Sequence, residues 1–502
     1  MKAPTTLFLA LAAALPLAAA DPTDDAVRPG LEKFLSGAEK EGFSGVVLVS
    51  RGGKVLLEKG YGFADVGKSN PVRADSVFTT GSITKQFTAA AVLKLEMLGQ
   101  LAVEDRMAKY LPGVPKDKEA ITLHQLLTHT AGFPGAIGDD VERIGRDDFV
   151  KKAMATPLLS SPGERYEYSN VGFSLLAAIV ERVSGQGYED FLAQHLFAPA
   201  GMKDTGYHRP KWEAARLAHG TTQDGKDWGT QVDRMFSGGG PGWHLLGNGG
   251  ILSTVGDMHR WHRALLTDTV LDAKAKAKMY TPFADEGGGT HYGYGWSIEK
   301  TPYGRLVTHN GGNPFFFSDF LRYLDRNVVI YYSTNSTERR MRRLARRLAQ
   351  IVFTGTVPAL PEKPAPTLTR IEGLPAAPGS AAARWGLPGT AEAEACARFF
   401  DTAAQKDASV RRQAIPTVFA PAAIERRGLE GLAELLERLH NDLVGMAVQG
   451  FEVRPGEGPD RPEAHLTLRS QAVPESIRLV LFLVPSGSGS FLVGALRAEI
   501  GN

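Results

Sequence analysis

Ser82 and Lys85 stand three residues apart in the segment Ser82-Ile83-Thr84-Lys85. On a helix this spacing places both side chains on one face, so the lysine amine can reach the serine hydroxyl. A serine alcohol is a weak nucleophile until a neighbouring base takes its proton. A buried lysine can be that base, because burial lowers its pKa and favours the neutral amine. The pair therefore predicts nucleophilic attack on a carbonyl carbon, with Ser82 at the start of a helix, where free backbone N–H groups face developing negative charge.

The Ser-x-x-Lys spacing is common by chance, and the chain contains a second copy at Ser297-Ile298-Glu299-Lys300. That copy lies in a run typical of a β-strand, where side chains three residues apart point to opposite faces. Ser82 instead leads into QFTAAAVLKLEMLG, whose apolar residues recur at helical spacing. The local pattern therefore favours Ser82 as the nucleophile.

A second group of polar side chains stands at Tyr168-Ser169-Asn170, just before the helical pattern VGFSLLAAIVERVSG. A tyrosine beside a lysine can carry a proton between the nucleophile and the leaving group. An asparagine amide can hold both the lysine and a substrate amide by hydrogen bonds. Considered alone, Tyr168 is typical of a packing residue and Asn170 of a helix cap.

A third candidate is His309-Asn310-Gly311-Gly312, at the end of the strand-like run RLVTH. A cation or donor at this strand end could bind a substrate carboxylate, and the glycines would let a ligand approach the backbone. His291-Tyr292-Gly293 has the same His-x-Gly pattern, so this motif alone distinguishes nothing.

Together and in this order, SITK at 82–85, YSN at 168–170 and HNG at 309–311 resemble the serine β-lactamase and penicillin-binding-protein superfamily. The resemblance is to the branch that includes class C β-lactamases, D-alanyl-D-alanine carboxypeptidases, esterases and aminopeptidases. Further stretches look like this family; they are ITLHQLLTHTAG (121–132), PGERYEYSN (162–170), NGGILSTVGDM (248–258) and YGYGW (292–296). The similarity covers roughly residues 25–355.

This resemblance implies a role for each matching residue. Ser82 would form the acyl-enzyme, and Lys85 and Tyr168 would share the general-base and general-acid work. Asn170 would position Lys85 and the substrate. The backbone N–H groups of Ser82 and Gly312 would form the oxyanion hole. No cofactor or metal is expected in such a mechanism.

The third motif departs from class C β-lactamases, which typically carry lysine where this chain has His309. The resemblance implies that His309 and Gly311 bind and orient substrate. A histidine there looks more like the carboxypeptidase and esterase members. The leading hypothesis is therefore a hydrolase of D-amino-acid peptides or small esters. The alternatives are a class C-like β-lactamase and a sensor of β-lactam or peptidoglycan that is acylated but turns over poorly.

The pattern of elements predicts how the site is assembled. Val46–Val49 and Val55–Leu57 flank a Gly-Gly turn and predict a β-hairpin, and strand-like runs return between about 292 and 333. Most of 84–266 has a helical pattern. Strands at both ends of a helical insertion predict one α/β compound domain, with an antiparallel sheet flanked by helices and a helical subdomain.

The remaining segments extend this organisation. Glu338–Phe353 predicts a basic helix whose apolar face packs on the sheet, the alternative being a membrane-surface or nucleic-acid helix. Two helical segments, at about 391–412 and 428–444, and four strand runs predict a small α+β domain of unknown role. The expected division is a signal peptide (1–20), a serine hydrolase domain (21–355), a Pro/Ala-rich linker (356–390) and the α+β domain (391–502).

Composition limits the possible partners. The net charge is only +2 over 502 residues, so a general electrostatic binder of nucleic acid or membrane is not expected. Lys2, the apolar run 7–17 and Ala18-Ala19-Ala20 predict a secretory signal cleaved after Ala20, hence a secreted or periplasmic protein. The mature chain is expected to lack a membrane span and to act on a small-molecule or peptide substrate, and no pattern sets its oligomeric state.

Other kinds of site are weaker candidates. The single cysteine, Cys396, excludes an internal disulfide and has the surroundings of a core residue. No Gly-x-Ser-x-Gly elbow of an α/β-hydrolase is present. His259 and His262 have helical spacing for a metal pair, but no third ligand of known spacing accompanies them.

Overall fold

The computed structural model describes residues 21–222, 225–236, 239–336, 341, 344–361, 380–385, 387, 390–405, 407–443, 446–456, 458–470, 476–486 and 490–501. The expected signal peptide lies outside the described residues, as does most of the expected linker. Within the described part of the chain, no helix is long and apolar enough to cross a membrane.

Eight antiparallel strands of the described chain form one sheet in the order β2-β1-β12-β11-β10-β9-β8-β7. Strands of the first 353 residues are β1 (Gly45–Arg51), β2 (Lys54–Tyr61), β3 (Phe78–Thr79), β4 (His219–Thr221), β5 (Asp227–Thr230), β6 (Leu252–Ser253), β7 (Ala284–Gly287), β8 (Thr290–Tyr292), β9 (Ser297–Thr301), β10 (Gly304–Gly312), β11 (Phe317–Tyr323) and β12 (Val328–Thr334). The N-terminal hairpin joins the late strands directly, since β1 pairs with β12 along its whole length. The prediction of one sheet built from distant segments is confirmed.

Helices cover both faces of this sheet. In the same region they are α1 (Asp24–Lys40), α2 (Thr84–Met97), α3 (Leu123–Leu127), α4 (Arg146–Ala155), α5 (Asn170–Ser184), α6 (Tyr188–Leu192), α7 (Ala198–Ala200), α8 (Gln231–Met235), α9 (Val255–Ala264), α10 (Ala273–Met279) and α11 (Ala345–Thr354). Alternate β1 residues point to opposite faces, as strand geometry requires. Val46 and Leu48 join the core around α2, α5 and α9, whereas Val47 and Val49 join a second core with α1 and α11.

Most of α2 is buried, which explains how it can hold a lysine away from water. Its residues from Thr84 to Leu93 are all buried, and it packs against α5, α6 and α10. Such a helix lacks a polar face because every side contacts other apolar elements. Lys85, whose side chain is charged in water, therefore lies inside a hydrophobic core.

The basic segment predicted over Glu338–Phe353 packs as expected, although the described helix is shorter. α11 begins at Ala345, and the apolar residues Met341, Leu344, Leu348 and Ile351 are all buried in the core with the sheet. Arg346 pairs with Glu299 on the adjacent strand β9. This packing accounts for the apolar face without a membrane or nucleic acid.

A separate apolar cluster forms among residues 382–493. Its elements are α12 (Ala381–Arg384), α13 (Ala391–Ala404), α14 (Ala408–Val418), α15 (Pro421–Leu443), β13 (Met446–Gly456), β14 (Gly458–Ser470), β15 (Ser476–Ser486) and β16 (Ser490–Gly501). The four strands form an antiparallel meander in chain order. The helical segment expected at about 391–412 contains two helices rather than one, because α13 ends at Ala404 and α14 begins at Ala408. The helix expected at 428 begins earlier, at Pro421, with a kink at Gly428.

Candidate active site

Ser82 lies in a single 3₁₀ turn (Gly81–Ile83) that leads directly into α2. Gly81 has a positive φ of 54°, a conformation that glycine adopts without strain. The turn leaves Ser82 partly exposed while the helix places Lys85 in the interior. The Lys85 Nζ atom lies 3.3 Å from the Ser82 Oγ atom. The predicted serine–lysine pair is therefore in hydrogen-bond contact at the start of a helix.

The Lys85 ammonium or amine has two further partners, both acceptors. It donates to Asn170 Oδ1 at 2.7 Å and to the Asn248 backbone carbonyl at 2.8 Å. Burial lowers the pKa of Lys85 from 10.5 to about 7, and the carboxylate of Asp140 opposes this shift. A substantial fraction of the amine is thus neutral at physiological pH and can accept a proton.

Tyr168 is a second proton-bearing side chain beside the nucleophile. Its hydroxyl is hydrogen-bonded to Ser82. The Lys85 Nζ atom lies 4.7 Å from the centre of the tyrosine ring. Burial raises the pKa of Tyr168, and the Glu286 carboxylate raises it further. Tyr168 is therefore a phenol at rest, able to donate a proton and to receive one in exchange.

Asn170 is the first residue of α5, whereas the sequence predicted that it lies in the loop just before this helix. The helix cap is Ser169, whose hydroxyl accepts from the Gly172 N–H. This arrangement frees the Asn170 side chain to bind Lys85 rather than cap the helix. The sequence prediction that Asn170 contacts Lys85 agrees with this geometry, whereas the alternative of a capping asparagine is wrong.

The end of β10 lies directly against the nucleophile turn. Pairing of β10 with β9 ends at Thr308, whereas β10 itself continues to Gly312. A Cβ atom on Gly311 would fall 2.2 Å from the Thr80 carbonyl and 2.3 Å from the Ser82 nitrogen. Only glycine permits this approach. It brings the N–H groups of Ser82 and Gly312 to the same end of the strand, where they could face one carbonyl oxygen.

His309 is also at this strand end, buried among aromatic rings. Its Nε2 atom lies 2.9 Å from the Tyr292 hydroxyl, and its Nδ1 atom lies 2.6 Å from the Asn310 carbonyl. Burial, together with the nearby Lys85 charge, lowers its pKa to about 3. The histidine is thus a neutral imidazole next to Tyr168, whose ring centre is 6.4 Å away.

Three residues that hold this site together have no role predicted from the sequence. Asn248 supplies its carbonyl to Lys85, and Tyr292 contacts His309. His129 accepts from the Ser169 N–H through Nδ1 at 3.0 Å and packs 4.4 Å from the Tyr168 ring. All three fall in stretches that look like the family, 121–132, 248–258 and 292–296, which was the available signal.

The second Ser-x-x-Lys copy and the pair of His259 and His262 do not form a comparable site. Ser297 is on β9, as predicted, and its hydroxyl donates to Glu286 rather than contacting a lysine. His262 uses Nδ1 to accept from Arg322 Nε at 3.0 Å and has Nε2 3.2 Å from Asn327 Oδ1. Both nitrogens have protein partners, which leaves neither for a metal. The described residues contain no cluster of three or more potential metal ligands.

Fold and site together define a serine hydrolase of the β-lactamase and penicillin-binding-protein type. The sequence model of the β-lactamase family matches residues 24–353, and the chain belongs to this family. Penicillin-binding protein 4* of Bacillus subtilis (strain 168) is 30% identical over 348 residues, which cover 65% of this chain and 76% of that protein.

Two solved structures show the extent of the similarity. The penicillin-binding protein from Bacillus halodurans has a TM-score of 0.53 and 26% identity, covering 62% of this chain and 95% of that one. The octameric penicillin-binding protein homologue from Pyrococcus abyssi has a TM-score of 0.54 and 20% identity, covering 92% of this chain and 94% of that one. At that identity the second comparison concerns the fold alone, but it extends beyond the family match into the C-terminal segment.

Proposed function

We propose that this protein hydrolyses amide or ester bonds through an acyl-enzyme formed on Ser82, with D-amino-acid peptides or small esters as its substrate class. The observation that carries the proposal is the contact between the Lys85 amine and the Ser82 hydroxyl at 3.3 Å. The lysine is fully buried and has a pKa near 7, so it can deprotonate the serine at neutral pH.

Acylation begins when Ser82 Oγ attacks the substrate carbonyl carbon and its proton passes to Lys85. The carbonyl oxygen becomes an oxyanion, which the N–H groups of Ser82 and Gly312 stabilise. The bond from the carbonyl carbon to the leaving nitrogen or oxygen then breaks. The leaving group takes a proton from the Tyr168 hydroxyl, and Lys85 restores that proton to Tyr168.

Deacylation repeats the sequence with water as the nucleophile. Water loses its proton to the same lysine and tyrosine pair, and attacks the ester carbonyl of the acyl-enzyme. The bond to Ser82 Oγ breaks, and the serine regains its proton. Asn170 holds Lys85 in place throughout, through the hydrogen bond of 2.7 Å between Lys85 Nζ and Asn170 Oδ1.

The test is turnover of a p-nitrophenyl ester, with mass spectrometry of the intact protein and of its peptides to locate the acyl group. Wild-type protein should release many equivalents of nitrophenol per chain and carry the acyl group on Ser82. Ser82→Ala should lose both. Ser297→Ala is the matched control, because Ser297 shares the Ser-x-x-Lys spacing but lies on a strand. Loss of activity in Ser297→Ala alone would refute the assignment.

The same assay, extended to amides, D-peptides and cephalosporins, separates the alternative functions. One equivalent of acyl group on Ser82, without further release from any ester, amide or D-peptide, would favour the poorly turning-over sensor. Efficient hydrolysis of cephalosporins would favour a class C-like β-lactamase. We also propose export through residues 1–20, which N-terminal sequencing of the secreted protein tests by a start at Asp21. The division into a hydrolase domain (21–355), a linker and a C-terminal α+β domain likewise remains a prediction.

A further inference from the structure

Both ring nitrogens of His309 are occupied by protein groups. A backbone carbonyl can only accept, so the contact of 2.6 Å to the Asn310 oxygen places the imidazole proton on Nδ1. In the neutral ring Nε2 is then an acceptor, and the Tyr292 hydroxyl donates to it at 2.9 Å. Neither nitrogen is left to donate a hydrogen bond to a substrate.

The topology explains why Tyr292 can reach His309 although a strand lies between β8 and β10. The first residue of β9, Ser297, pairs with Tyr292 on one side and with Thr308 on the other. His309 is one residue further along β10, past the end of β9. Tyr292 and His309 therefore meet across the end of that strand, both buried.

The charges that act on the site residues do not favour an anion beside His309. Among the described residues, the charges besides Lys85 are carboxylates: Asp140 acts on Lys85, and Glu286 acts on Tyr168 and Tyr292. The Glu286 carboxyl is itself held close by, accepting from Tyr166 at 3.0 Å. Among the described residues, a substrate carboxylate at this strand end would lose water and gain no cation besides Lys85, whose amine already donates to Asn170 and to the Asn248 carbonyl. The exchange is unfavourable.

We propose that Tyr292 holds His309 as a neutral, hydrogen-bonded imidazole and thereby makes the site select acyl donors that carry no carboxylate next to the scissile bond. The preferred substrates are then esters and C-terminal amides rather than peptides with a free C-terminal carboxylate. This inference rests on the proposed acyl transfer at Ser82. It replaces the expectation that His309 binds a substrate carboxylate.

The test compares two aryl esters of N-acetyl-D-alanine, the 3-carbamoylphenyl ester and the 3-carboxyphenyl ester. Their leaving groups have similar shape and differ in charge. We expect wild-type kcat/KM to be at least about tenfold higher for the carbamoyl ester. This ratio corresponds to the free energy of about one hydrogen bond to a charged group. Equal values, or preference for the carboxylate, would overturn the inference. Hydrolysis of neither ester would instead refute the proposed function.

Tyr292→Phe tests the positioning role, because it removes the hydroxyl and keeps the ring. Without the hydroxyl that donates to it, Nε2 can take up a proton and donate it to a carboxylate. The ratio of the two kcat/KM values should therefore fall at least about threefold, which is a fraction of the free energy of one such hydrogen bond. Tyr294→Phe is the matched control: Tyr294 is also buried, and its hydroxyl lies 2.8 Å from the His124 Nδ1 atom instead. An unchanged ratio in Tyr292→Phe, or an equal fall in Tyr294→Phe, would contradict the role given to Tyr292. Should Tyr292→Phe not fold, the wild-type ratio still decides the selectivity.

Discussion

Replacing Lys85 by methionine should change how the stability of the protein depends on pH. Lys85 is fully buried, and its pKa falls from 10.5 in an exposed setting to about 7 in the folded protein. Between these two pH values the unfolded chain holds the lysine proton and the folded chain releases it. Since the unfolded state then binds more protons, the free energy of unfolding rises with pH across this range. Below about pH 7 the folded protein instead carries the full cost of a buried ammonium.

The magnitude follows from the two pKa values. The whole displacement corresponds to about 5 kcal/mol, at about 1.4 kcal/mol for each pH unit. Between pH 6 and pH 9, wild-type protein should gain roughly 3 kcal/mol relative to Lys85→Met. The variant also leaves Asn170 Oδ1 and the Asn248 carbonyl without their donor. That loss is a constant offset, so only the slope of the difference with pH reports the lysine.

The assay is urea unfolding of both proteins at several pH values, followed by tryptophan fluorescence. Five of the six tryptophans lie at positions 212–296, inside the family region. The acid limb of kcat/KM provides a second readout, because activity should rise with pH through about 7 as Lys85 becomes neutral. A stability difference that is flat from pH 6 to 9 would refute the assignment of Lys85 as a buried base. The basic side chain would then be an ordinary ammonium.

Three further substitutions test the geometry around the nucleophile. Tyr168→Phe removes the hydroxyl that is hydrogen-bonded to Ser82, and it should lower kcat by about 10²–10⁴-fold with little change in KM. An unchanged kcat would rule the tyrosine out as the proton carrier. Gly311→Ala would place a methyl group 2.3 Å from the Ser82 nitrogen and should abolish esterase activity. Gly145→Ala is the control, because a Cβ atom at Gly145 would meet no atom within 4 Å, and it should keep both activity and melting temperature. His129→Leu removes the acceptor of the Ser169 N–H and should cost about 1–3 kcal/mol in urea unfolding as well as kcat; full stability would show that the bond is dispensable.

The fold was predictable where periodicity and turn residues agree. The hairpin around Gly52-Gly53 and the late strands from 297 to 334 follow from alternating apolar residues. The C-terminal helices were harder, because the helical pattern continues through a break. There, Asp407 caps α14 by accepting from the Ser409 N–H, a capping residue that the apolar pattern does not reveal. Propensity and period locate elements, but their ends depend on single hydrogen bonds.

The site was predictable as far as its side chains carry motifs. The contacts that complete it use backbone groups or distant residues. The Asn248 carbonyl, which accepts a hydrogen bond from Lys85 Nζ, is 163 residues away in sequence. A backbone carbonyl is present at every residue and therefore has no sequence signature. His129 adopts a positive φ of 58° while its ring packs on Tyr168, which again depends on the assembled loops. Sequence alone therefore places the reacting groups but not the groups that set their protonation.

Protonation explains why two basic side chains of one site have different consequences. Burial disfavours the charged form of Lys85 and of His309 alike. For Lys85, whose ordinary pKa is far above 7, the shift ends near neutrality and produces a base that can exchange protons with Ser82. For His309, whose ordinary pKa is 6.5, a shift in the same direction leaves the ring neutral at physiological pH. The same physical effect thus creates the catalytic base in one motif and removes the anion-binding cation from the other.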